Sequence, residues 1–178
     1  IKRIALGQHE EDQAETLIMR ILKGTGLKGL QGIRPQLKLG QTYFIRPLLN
    51  VSKFEIDHYL KLHGLKFRKD KTNDSAEFLR GRVRHHLMPG LKKNFNPGVV
   101  RALSRLGEIV RDEYALLEEI EEKAWKKTIQ SIRSHRLEFR RGLFLKLPSS
   151  LQFRLLDRAL KSLDRRSGMN HQAWALLK

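Results

Sequence analysis

Ten residues near the start, G-Q-H-E-E-D-Q-A-E-T (residues 7–16), gather one histidine and four carboxylates (Glu10, Glu11, Asp12, Glu15) in a chain of net charge +17. In a helix His9, Asp12 and Thr16 fall at i, i+3 and i+7 and share one face, opposite an apolar stripe. The preceding K-R-I-A-L-G reads as a strand, and the C-terminal end of a strand leading into a helix is where open α/β sheets bind ligands. A plainer reading is a helix start whose acids suit the helix dipole, which fits Glu10 and Glu11 well. A zinc-protease H-E-x-x-H is excluded, because Gln13 stands where the second histidine is needed. Two acids three residues apart on one helix are poorly placed to flank a scissile bond.

Three other groups could carry chemistry. Gly24, Thr25 and Gly26 offer backbone N–H groups and a hydroxyl to a phosphate, although no Walker G-K-[ST] occurs and a tight connection reads equally well. Arg80 and Arg84 lie at i, i+4, so two guanidiniums share a helix face suited to phosphate or carboxylate, or form a solvated basic face. His85 and His86 are adjacent and cannot share a face, so they read as surface residues or phosphate contacts. Trp125 and Trp174 occupy apolar helical positions and read as core. Cysteine is absent, which removes thiol catalysis, iron–sulfur ligation and cysteine zinc sites, and fits a reducing, cytoplasmic setting.

The elements that must position these groups follow from periodicity. Ala14, Leu17, Ile18, Ile21 and Leu22 give a helix over about residues 10 to 23. Glycines at 24, 26, 29 and 32 then form an ordered loop. T-Y-F-I-R-P-L-L is a second strand stopped by Pro47. Ser52 and Glu55 make a capping box for a helix ending at Gly64. A polar loop, K-D-K-T-N-D-S, precedes a helix with Leu79, Val83 and Leu87 on one face. Asn96-Pro97 opens a helix of about eight turns with apolar positions at Val100, Leu103, Gly107, Val110, Tyr114, Leu117 and Ala124. R-L-E-F-R-R-G-L-F-L-K-L suggests a small hairpin, and two further helices begin at Pro148 and near Gly168.

The chain has 178 residues, 40% of them hydrophobic, enough for one ordinary domain or two small ones. No apolar run is long enough to cross a membrane and no signal-peptide pattern opens the chain, so no membrane is expected. Thirty-six Lys and Arg against 19 Asp and Glu point to nucleic acid as the partner, since neutralised phosphates release counterions. Residues 66–93 are the most basic stretch. The chain does not begin with Met and opens inside a strand, so a fragment of a longer protein is expected.

Taken in order, G-Q-H-E-E-D-Q-A-E-T, R-I-L-K-G-T-G-L-K-G-L-Q-G-I, I-R-P-L-L-x-V-S-K-F-E-I, D-K-T-N-D and R-G-R-V-R-H-H-L-M-P-G-L resemble the tRNA(Ile)-lysidine synthetase family, within the PP-loop ATP pyrophosphatase group. The likeness runs from about residue 4 to residue 117 and is diffuse beyond. It implies an enzyme that uses ATP and Mg2+ to adenylate the wobble cytidine of a CAU-anticodon isoleucine tRNA. Free L-lysine then displaces AMP. It implies Asp12, His9 and Arg84 as catalytic residues, Arg80, Thr16, Asp70 and Asn73 as substrate-binding residues, and Gly24, Thr25 and Gly26 at the nucleotide. No resident protein-bound metal site is expected, and a homodimer is left open.

The chain departs from the family in lacking the S-G-G-x-D-S phosphate loop, and it carries Gln8 for His, Glu11 for Asp and Gly81 for Asn. These residues alone are therefore expected not to turn over. A 2-thiocytidine-type PP-loop enzyme is a rival weakened by the missing cysteines, and a non-catalytic tRNA-binding fragment is another. The expected fold class is α/β, dominated by helix. Residues 1–95 would be the C-terminal part of a parallel-sheet PP-loop domain, and 96–178 a helical tRNA-binding domain.

Overall fold

A computed structural model describes residues 2–67, 79–133 and 136–163. Asp70, Asn73 and Trp174, the polar loop before Leu79 and the expected last helix lie outside the described residues. The chain forms two compact units, Ile1–Tyr114 and Ala115–Lys178.

In the first unit, β1 (Lys2–Ala5), α1 (Glu10–Leu22) and a one-turn α2 (Leu27–Leu30) lead to β2 (Gln36–Leu39) and β3 (Thr42–Ile45). The sheet order is β1-β3-β2. β1 and β3 are parallel, with Lys2 opposite Thr42 and Ala5 opposite Ile45, so β1, α1 and β3 make the crossover of an α/β domain. The β1–β3 pair is parallel as expected, while β2 runs antiparallel to β3 and makes the described sheet mixed. Gly40, at φ +58°, supplies the left-handed residue of the tight turn between them. β2 escapes sequence reading because Q-L-K-L is a largely exposed edge strand in which only Leu37 is half-buried.

α3 (Lys53–Leu62) opens at the Ser52–Glu55 capping box, where Glu55 N–H donates to Ser52 Oγ at 3.2 Å and Ser52 N–H donates to Glu55 Oε2 at 2.8 Å. Residues Leu79–Asn94 form one helical run: α4 (Leu79–Arg82), a π-helical turn (Val83–Leu87) and α5 (Met88–Asn94). Pro89 explains the π turn, because it has no N–H and its ring crowds the carbonyl four residues back. The wider turn shifts the helix phase. Met88, 5% exposed, therefore joins Val83 in the core, while Leu87, expected there, is 37% exposed.

α6 (Val99–Thr128) follows the Asn96 side chain, which accepts the Gly98 N–H at 2.8 Å. Ala14, Val83, Met88 and Val100 form the core, flanked by Ile18, Met19, Leu79, Leu91, Val99 and Leu103. Ile21 and Leu22, placed on α1's apolar stripe by periodicity, are exposed. The first unit ends at Tyr114, beyond the boundary expected near residue 95, because the start of α6 packs in the same core as α1.

In the second unit, β4 (Ile129–Arg133) and β5 (Arg136–Phe139) form the hairpin. It lies earlier than expected, and R-G-L-F instead makes a one-turn α7 (Arg141–Phe144) before α8 (Ser149–Leu163). Ala124, Trp125, Leu155 and Ala159 are its core. Trp125 meets Phe139 edge-on at 5.7 Å and carries the Arg158 guanidinium over its ring at 4.4 Å, so it is a packing residue.

Candidate functional site

The polar face of α1 is turned inward at Asp12 and Glu15, with His9 and Thr16 half-buried. Asp12 and Glu15 are 8% and 4% exposed, and both are clasped by the two arginines of the following helical run. Arg84 grips Glu15 with two bonds, Nε to Oε1 at 2.7 Å and Nη2 to Oε2 at 2.9 Å, and reaches Asp12 Oδ1 at 3.0 Å. Arg80 donates from Nη2 to Asp12 Oδ1 at 2.8 Å and from Nε to Glu15 Oε2 at 3.1 Å. Asp12 Oδ2 accepts the His9 backbone N–H at 3.1 Å. Two carboxylates thus meet two guanidiniums with no net charge, which is the condition for burying acids at all. The i, i+3 acids and i, i+4 arginines are complementary rows on facing helices.

His9 and Glu11 form a second linkage. His9 Nδ1 lies 2.9 Å from Glu11 Oε2, and His9 Nε2 lies 3.5 Å from Asp12 Oδ2. Glu11 Oε2 also accepts the Lys53 N–H at 2.9 Å, at the first turn of α3. Burial opposes ionisation of Glu11, but bonds from His9, the Lys53 N–H and its own N–H outweigh it and hold its pKa at about 2. The bond to Glu11 raises the His9 pKa above 6.5 against a lowering by burial, helped by the charges of Asp12 and Glu11. Burial, then the Glu11 charge, raises Glu10, and Arg101 pulls it back. Glu11 is therefore a tether between two helix starts, more than the helix-start charge read from sequence.

The structure joins His9, Asp12, Arg80 and Arg84, with Thr16 half-buried one turn beyond Asp12. It does not bring Gly24, Thr25 and Gly26 to them. Those residues are exposed beyond the far end of α1, and the helix from Asp12 to Leu22 alone measures about 15 Å. Gly24 N–H is spent on Ile21 O at 3.0 Å, and Arg20 braces the loop by donating to the carbonyls of Gly29 and Gly32. Glu15 and Glu11 were missed as site residues. The spacing of Glu15 from Asp12, matched against Arg80 and Arg84, was the available signal. Glu11's partner on α3 left none.

Mg2+ takes oxygen ligands in octahedral geometry. The oxygens of Asp12 and Glu15 already accept guanidinium or backbone N–H groups, and among the described residues no group of three or more His, Cys, Asp or Glu is placed to hold a metal. These residues do not fit a resident Mg2+, and no step is routed through one. No described helix is long and apolar enough to cross a membrane.

A parallel β–α–β crossover with a charged cluster at the start of its helix places the first unit in the α/β class, in which ligands bind beyond the carboxyl ends of the strands. The family model for the PP-loop domain matches residues 1–91, and the chain belongs to the PP-loop family. More particularly, it is similar to proteins named tRNA(Ile)-lysidine synthase. That of Geobacter sulfurreducens is 41% identical over 128 residues, covering 72% of this chain and 26% of the relative. That of Symbiobacterium thermophilum is 36% identical over 165 residues, covering 90% and 34%. That of Gloeobacter violaceus is 34% identical over 178 residues, covering 99% and 53%. The chain thus spans from about a quarter to about half the length of these curated relatives.

Proposed function

We propose that this chain is part of an ATP-dependent ligase that joins free L-lysine to the wobble cytidine of CAU-anticodon isoleucine tRNA, by way of an adenylated cytidine. ATP is a substrate that supplies the adenylyl group, releasing pyrophosphate, and Mg2+ would accompany the ATP rather than sit on this cluster. The likeness to relatives named tRNA(Ile)-lysidine synthase supports the reaction class. The observation that carries the assignment of the site is the paired cluster of Asp12 and Glu15 with Arg80 and Arg84.

An amino acid presents the same two charges as that cluster. Lysine can exchange into it, with its ammonium on the acids and its carboxylate on the arginines, so that every charge displaced finds a new partner. The ε-amine attacks the activated base only after losing a proton, and His9, with Nε2 3.5 Å from Asp12 Oδ2, is the acceptor assigned to it in this reading. The basic surface serves the tRNA backbone, with the helical part from about residue 96 as the RNA-binding region.

The test is lysine- and ATP-dependent modification of isoleucine tRNA by the complete enzyme. Asp12→Asn should abolish modification while leaving tRNA binding nearly intact. Equal loss of both would assign Asp12 a structural role only.

A further inference from the structure

Gln13, passed over in the sequence as the residue that breaks a zinc motif, sits at the tightest junction of the first unit. It is 2% exposed, and both ends of its amide are committed. Oε1 accepts the Ile33 N–H at 2.5 Å, and Nε2 donates to Gln31 O at 3.3 Å. Two glycines make room for it. A Cβ at Gly32, whose φ is +66°, would lie 2.5 Å from the Gln13 amide atoms. A Cβ at Gly107 on α6 would lie 2.9 Å from its Nε2 and 3.3 Å from Leu17. Arg111 of α6 reaches the same two loop residues, donating to Gln31 O and Ile33 O at 3.5 Å each. The last glycine of the glycine-rich loop therefore serves a side chain of α1.

At 3.6 residues per turn, Gln13 projects about 130° around α1 from the midpoint between Asp12 and Glu15. It holds the back of the helix whose front carries the acids. We infer that Gln13 is a positioning residue for the lysine site: it fixes the roll of α1, and so where Asp12 and Glu15 present their carboxylates to Arg80, Arg84 and the substrate. Side-chain ends stand about 6 Å from a helix axis, so a roll of about 10° moves them by about 1 Å. Misplacement on that scale costs on the order of 100-fold in rate, read here in kcat/KM for lysine and through its KM, because the displaced carboxylates are the ones that bind lysine. The inference rests on the proposed lysine site.

The experiment uses the complete enzyme with Gln13→Met, which keeps the length and apolar stem but loses both hydrogen bonds, and with Gly107→Ala, which leaves Gln13 in place but pushes on its amide. Wild-type lysine-dependent tRNA modification is measured first, and its absence would sink the functional proposal and this inference together. Given an active wild type, Gln13→Met is expected to raise the lysine KM at least about tenfold, with the KM for ATP and tRNA binding within about twofold. Gly107→Ala should shift the lysine KM in the same direction. Should Gln13→Met fail to fold, Gly107→Ala alone decides. An unchanged lysine KM, with activity falling only in proportion to the folded fraction, would overturn the positioning role while leaving the proposed reaction standing.

Discussion

Glu15→Gln tests whether the acid–arginine cluster holds α1 in place. The substitution keeps shape and removes one charge from a side chain that is 5% exposed. It weakens three contacts, at 2.7, 2.9 and 3.1 Å, and leaves two guanidiniums facing the single carboxylate of Asp12. Breaking a fully buried pair costs roughly 3–5 kcal/mol. Arg80 and Arg84 are 43% and 30% exposed, so water recovers part of that, and about 2–3 kcal/mol is expected. At this chain length that is a Tm lowered by about 5–10 °C. The assay is urea and thermal unfolding followed by far-ultraviolet circular dichroism, since Trp125 fluorescence reports the other unit. Arg84→Met and the double variant complete a cycle, with an expected coupling of about 1.5 kcal/mol or more. Additive costs, within about 0.5 kcal/mol, would refute the reasoning.

Three further predictions concern stability. Gly32→Ala combines a left-handed φ with a clash on Gln13 and should cost about 2–4 kcal/mol, whereas Gly40→Ala, also left-handed but facing open space, should cost about 1 kcal/mol; equal costs by urea unfolding would contradict the Gln13 contact. Met88→Ala should cost about 2–4 kcal/mol and Leu87→Ala under about 1 kcal/mol, the reverse of what a regular α-helical phase gives; unfolding midpoints of the two variants decide. The Glu11–His9 linkage has an opposite sign at each end of the pH scale. Glu11, lowered from 4.5 to about 2, contributes stability that is present above pH 4.5 and lost as pH falls through about 2. His9, raised above 6.5, contributes stability that is full below 6.5 and lost as pH rises through its folded value. In Glu11→Gln the acid-side loss should shrink, and the His9 titration followed by NMR should move down; an unmoved titration would contradict the bond.

Local patterns were legible in the chain where each residue's neighbours along the sequence decided its state. α1, the Ser52–Glu55 box, the long α6 and the Trp125 core position all follow from spacing. The failures share a cause in long-range partners. Q-L-K-L has no burial pattern to announce a strand, and only β3 makes it one. Leu87 was placed in the core by a four-residue count that Pro89 changes to five. Arg80 and Arg84 could be paired with each other by spacing, but their partners on α1 are more than sixty residues away. Glu15 and Gln13 carry no assignment in the sequence because nothing local says that a guanidinium pair covers one and two glycines receive the other.

None of the ten residues of α3 is buried. Its first turn is fixed by Ser52 and by the Lys53 N–H on Glu11, so the helix is fastened at its start and contributes no buried side chain to the core. Such an element can open on its own, at a free energy well below that of global unfolding. The amides of α3 then exchange with solvent while those of α1 stay protected, and protonating Glu11 loosens the fastening. One carboxylate thereby contributes to the local lifetime of a helix forty residues along the chain, beside the Ser52–Glu55 box and the Glu10 N–H to Val51 O bond.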